Sequence, residues 1–70
     1  MTEYIKNNVY TFRNKKNFTQ EEFAQKIGVS RQTVIAIEKG NYTPSVLLAL
    51  KIAKVFCVEV EEVFKIAYER

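Results

Sequence analysis

The sequence predicts an all-α fold, a compact arrangement of five short helices, and three observations carry that prediction. Apolar residues recur at helical spacing along most of the chain. Cap residues punctuate those runs: Thr19, Ser30 and Thr43 stand just before them, Gly28 and Gly40 just after. Seventy residues are too few for more than one domain, so residues 1–70 are read as a single unit.

The elements follow in order. Val9 and Phe12 open a first helix that runs to about Lys16, with Asn7 or Asn8 as cap. Thr19 and Glu22 form a T-x-x-E capping box for the second helix, stapled by Phe18 and Phe23 across the cap. Phe23, Ala24 and Ile27 make its inward stripe, and Gly28 ends it in the left-handed conformation. Ser30 caps the third helix, Val29 and Val34 staple it, Val34 and Ile37 face inward, and Gly40 closes it. A fourth helix is predicted over 44–56, with Thr43 as cap, Pro44 in the first turn and Leu48, Ala49, Ile52, Ala53 and Phe56 on one face. A fifth, over 60–64, has Glu61 and Glu62 in its first turn, where the helix dipole favours acids. Residues 64–68 read either as a helix end or as a short strand pairing with 3–6; the strand is favoured.

Composition excludes several classes. There is no histidine and one cysteine, Cys57, so no internal disulfide can be built and the cysteine has no base partner. No carboxylates cluster at ligand spacing, and no Gly-rich phosphate loop is present. The reading is therefore no enzyme, no metal and no cofactor. No apolar run approaches the ~20 residues of a membrane span. The start, MTEYIKNN, lacks the basic-then-apolar pattern of a signal peptide, which favours a cytoplasmic setting.

Charge is unevenly placed. Residues 1–44 hold seven basic and four acidic residues, whereas 45–70 hold four of each. The positive excess accompanies the stretch QEEFAQKIGVSRQTVIAIEK, residues 20–39, two helices joined by a tight turn. If Val34 and Ile37 face the core, then Arg31, Gln32, Ile35, Ala36 and Lys39 lie on the opposite face, which is short in acids. Nucleic acid is the natural partner for such a surface.

The string TQEEFAQKIGVSRQTVIAIEKGNYTPSVLLALKIAKVF resembles the phage-repressor-like, or Xre, helix-turn-helix family, over about residues 7–64. The resemblance implies a lambda-repressor-like domain that binds double-stranded operator DNA, commonly as a homodimer, and regulates transcription. The third helix would then lie in the major groove. Arg31 suits guanine and Gln32 adenine, each by a bidentate contact, and Ile35 suits a thymine methyl. Thr33 and Ala36 complete the base-reading set. Gln20 matches a family phosphate contact, and Lys39, Asn41, Tyr42 and Thr43 lie where the backbone should pass. Lys15 and Lys16 read equally well as a solvated charge run. The family pairs Glu38 with the arginine of the first helix, here Arg13, which makes Arg13 structural.

Three positions depart from the family. Cys57 stands where relatives often have Gly and reads as a buried, inert thiol. Glu59 stands where relatives often have Ser or Asp, so the fifth helix would start weakly. Leu47, often polar in relatives, reads as a staple with Tyr42 across the Thr43 cap. Leu50, Val60, Phe64 and Ile66 are the expected dimer patch, within a packing region over 57–70. An antitoxin with a toxin partner, a restriction-modification controller protein and a protein-interaction module without DNA binding are the alternative readings.

Overall fold

A computed structural model describes residues 2–69. Met1 and Arg70, the ends of the expected 1–70 and 57–70 units, lie outside the described residues. The order is β1 (Thr2–Asn7), α1 (Val9–Lys15), α2 (Gln20–Ile27), α3 (Arg31–Glu38), α4 (Val46–Phe56), α5 (Val60–Val63) and β2 (Phe64–Glu69). The five helices carry one addition, and it bears out the strand reading of 64–68 against 3–6: β1 and β2 pair as an antiparallel ribbon that brings the two ends of the described chain together. Phe64 is the first strand residue rather than the last of α5; its backbone is extended, at φ −121° and ψ 131°.

One closure ends four helices. After α1, α2, α3 and α4, the residue that follows the left-handed turn residue donates to the carbonyl five positions back: Phe18 to Arg13 (3.1 Å), Val29 to Ala24 (3.0 Å), Asn41 to Ala36 (2.9 Å) and Val58 to Ala53 (3.1 Å). This Schellman geometry needs a left-handed residue at the turn. Asn17, Gly28, Gly40 and Cys57 fill it, with φ of 59°, 76°, 80° and 59°. Glycine does so freely and asparagine tolerably; Cys57 does so at a cost.

The core draws on every helix. Phe23, Ala24 and Ile27 of α2, Val34 and Ile37 of α3, and Leu48, Ile52, Ala53 and Phe56 of α4 are buried, together with Val9 and Val63. The Phe23 and Phe56 rings stack at 4.9 Å between centroids, and Phe12 also stacks on Phe56, at 5.5 Å. Offset stacking at these separations adds about 0.5–1.5 kcal/mol per pair beyond the area buried.

Five local readings are corrected. The cap of α4 is Ser45, whose hydroxyl accepts the Leu48 N–H at 3.1 Å, so Pro44 precedes the cap and Thr43 lies further out. With that shift the expected Tyr42–Leu47 staple is lost, and both side chains are exposed. Ala49 is half-buried rather than core. Cys57 is exposed, because a left-handed helix-ending residue sits at the rim and points its side chain outward. Glu59 does not leave α5 uncapped in full: Glu62 Oε2 accepts the Glu59 N–H at 3.0 Å.

Two asparagines tie the ribbon to the helices. Asn7 Oδ1 accepts the Val9 N–H (3.1 Å) while its Nδ2 donates to the Ile37 carbonyl (2.9 Å). Asn8 occupies the cap position of α1, but its side chain donates to the Glu62 carbonyl at 3.0 Å instead of capping.

Candidate nucleic-acid interface

The turn between α2 and α3 is set by short-range chemistry. Thr19 and Glu22 exchange reciprocal hydrogen bonds: the Thr19 N–H donates to Glu22 Oε1 at 2.8 Å, and the Glu22 N–H donates to Thr19 Oγ1 at 3.0 Å. These bonds favour the ionised carboxylate. The Thr19 backbone N–H, and then its hydroxyl, hold the Glu22 carboxyl below its ordinary range. Gly28 turns the chain, and Ser30 restarts it by accepting the Thr33 N–H at 3.2 Å.

Helix α3 is then held by two buried residues, Val34 and Ile37, on one face. Arg31 and Gln32 stand exposed at its capped N-terminal end. Thr33 is half-buried, with its hydroxyl 3.1 Å from that of Ser30. Ile35 and Ala36, read from the sequence as outward, are half-buried, so each offers only part of its apolar surface. Lys39, Asn41, Tyr42 and Thr43 are exposed along the connection that leaves the helix.

Acid and base are sorted beneath this surface. Arg13 is 7% exposed. Its Nε lies 2.6 Å from Glu38 Oε2, and a second guanidinium nitrogen lies 3.3 Å from Oε1. A third donates to the Phe18 carbonyl at 2.8 Å. Gln20 Nε2 donates to Glu38 Oε1 at 3.2 Å. The carboxylate of α3 is thus matched by a bidentate arginine and an amide, and leaves little negative field on the outward face. Tyr10 lies over the same guanidinium, 5.3 Å from ring centroid to carbon.

A shallow groove lined by Arg13, Thr19, Gln20, Glu21 and Arg31 joins the starts of α2 and α3. It brings Gln20 beside Arg31, one from each helix. Glu21 at its edge is an exposed acid that the sequence reading passed over. Lys15 folds back, with Nζ 5.5 Å from the centroid of Phe12. Of the expected dimer patch, Leu50 and Ile66 are exposed, while Val60 and Phe64 are half-buried against the core. Sequence reasoning also missed Asn7 as the link from the ribbon to the end of α3. Its only signal was an amide side chain two residues ahead of a helix.

A profile of the helix-turn-helix family matches residues 9–63, most of the chain. The chain belongs to the Xre-type helix-turn-helix family. Members of this family are DNA-binding transcriptional regulators, a class of binding proteins rather than of enzymes. An uncharacterised HTH-type transcriptional regulator of Methanocaldococcus jannaschii is 57% identical over 60 residues, covering 86% of this chain and 91% of the relative. The regulator YgzD of Bacillus subtilis is 52% identical with the same coverage. Among solved structures, the restriction-modification controller protein C.AhdI of Aeromonas hydrophila superposes with a TM-score of 0.71 at 30% identity, covering 77% of this chain and 82% of that one. Among the described residues, no helix is long and apolar enough to cross a membrane.

Proposed function

We propose that this protein binds a palindromic operator as a homodimer inside the cell and regulates transcription from it, with α3 in the major groove. One observation carries the reading. Helix α3 is clamped by Val34 and Ile37, presents Arg31 and Gln32 free at its N-terminal end, and has its one acid, Glu38, engaged by Arg13. Arg31 reads a guanine through O6 and N7, and Gln32 reads an adenine through N6 and N7. The exposed part of Ile35 and the methyl of Ala36 take apolar contacts, and Thr33 stands at the edge of the set. Lys39, Asn41, Tyr42 and Thr43 track the backbone. Gln20 joins them through the amide N–H that Glu38 leaves free. Two copies place their reading helices about 34–36 Å apart, one turn of the duplex.

The test is footprinting on the DNA upstream of its own reading frame across a salt series. Symmetric protection of two half-sites one turn apart, with affinity falling steeply as salt rises through counterion release, is the expected result. Absence of protection on any upstream sequence, or binding that ignores salt, would overturn it.

A further inference from the structure

The two-stranded ribbon carries features that a single copy leaves unmatched. Its register sets Ile5 opposite Ile66 and Glu3 opposite Tyr68, and these share one face with Phe64. Ile66 is 61% exposed and Tyr68 58%. That face looks toward the start of α4, since Ile5 and Phe64 line a shallow apolar pocket with Pro44, Val46 and Ala49. On the other face Lys6 stands directly opposite Lys65, a like-charge pair that weakens the ribbon. Among the described residues neither lysine has an acidic partner.

The free edge of β2 can be read from the hydrogen bonds. The Asn8 N–H donates to the Val63 carbonyl at 2.8 Å, extending the register by one pair. Antiparallel pairs alternate, so Lys6–Lys65, Tyr4–Ala67 and Thr2–Glu69 are the hydrogen-bonded ones. The backbones of Ile66 and Tyr68 therefore point away from β1, into solvent. A two-stranded ribbon with both edges open is marginal alone and a template for a further strand.

We infer that β2 pairs antiparallel with β2 of a second copy, making a four-stranded sheet across the dimer. The inference rests on the homodimer reading above and specifies how the two copies meet. A two-fold axis through an antiparallel strand pair must pass at a residue facing its own copy. Centred on Ala67, the pairing sets Lys65 opposite Glu69 of the second copy, twice, and offsets the Lys6–Lys65 repulsion. It joins Ile66 to Tyr68 of the second copy through about four backbone hydrogen bonds. It also lays the exposed apolar side chains of both copies side by side on the face that bears Val46. No self-pairing of β1 sets opposite charges against each other, since its acid Glu3 meets Ile5 or Asn7.

Sedimentation equilibrium of the full chain without DNA, from micromolar to millimolar concentration, tests this. Lys65→Glu should raise the dimer dissociation constant about tenfold or more, although it relieves the clash with Lys6 inside each copy. Combining it with Glu69→Lys should restore the wild-type value to within about threefold, because the cross-dimer pair returns with its signs exchanged. Ile66→Pro removes an N–H that points away from β1, so it should abolish the dimer while circular dichroism keeps its helical signal. A wild-type chain that stays monomeric throughout, or a charge exchange that fails to rescue, overturns the pairing. A monomer that still footprints its DNA sinks this inference together with the homodimer and leaves DNA binding standing; a dimer that protects no DNA sinks the operator reading and leaves the pairing standing.

Discussion

Arg13 of α1 and Glu38 of α3 meet at 2.6 Å, each side chain almost fully buried, at the point where α3 ends. The pair ties α3 to α1 and keeps the one carboxylate of α3 engaged rather than free on its outward face. Breaking it from one side strands a buried charge. Arg13→Ala should therefore cost about 3 kcal/mol or more in thermal unfolding, with sequence preference on DNA unchanged. Replacing both residues by Met should cost less than either single change. Unchanged stability with lost DNA binding would reassign Arg13 to a phosphate.

Cys57 holds a left-handed position that glycine holds without strain. Cys57→Gly should stabilise the fold by about 1 kcal/mol, raising Tm by about 4–8 °C. The exposed thiol should also react with a thiol reagent in the native state, as a buried one would not. A lower Tm for the glycine variant would show that the side chain contributes packing instead.

Arg31→Ala and Gln32→Ala should each cost about 1–3 kcal/mol in operator binding and relax selectivity at separate base pairs. Lys39→Ala should weaken all sequences alike and reduce the salt slope by about one. Binding-site selection with each variant distinguishes the two patterns.

The Glu22 carboxyl sits below its ordinary range because it accepts the Thr19 N–H. A depressed carboxylate contributes stability above its unfolded pKa and loses it as pH falls through the folded one. The α2 cap should therefore weaken in acid, below the usual carboxylate range. Glu22→Gln should be less stable at neutral pH and converge on wild type in acid. A difference in Tm that stays constant with pH would contradict this.

Ser45, not Thr43, caps α4. Ser45→Ala should lose about 1 kcal/mol in chemical denaturation, and Thr43→Ala much less. The reverse order would restore the earlier start of the helix.

The helix-turn-helix was open to reading from residues 19–40 because its signals act over three or four positions. Thr19 with Glu22, Ser30 with Thr33, and glycine at 28 and 40 each close their hydrogen bonds locally. Two capping residues stand within reach at the start of α4, and propensity alone does not separate them. The helix begins after Ser45, where Leu48 enters the core and Thr43 is left on the surface. The solvent exposure of Cys57 follows from its place at a helix rim, which hydropathy does not register.

The local pattern of caps, turns and apolar period determined the five helices, the inward stripes and the outward Arg31 and Gln32, since each depends on neighbours within one helical turn. Tertiary structure decided what depends on distant residues. It joined Glu38 to Gln20 as well as Arg13, anchored Asn7 on the carbonyl of Ile37, half-covered Ile35, and settled the two readings of Phe64–Glu69 in favour of the strand by pairing it with Thr2–Asn7. A strand forms only when its partner is present, and here the partner lies at the other end of the chain.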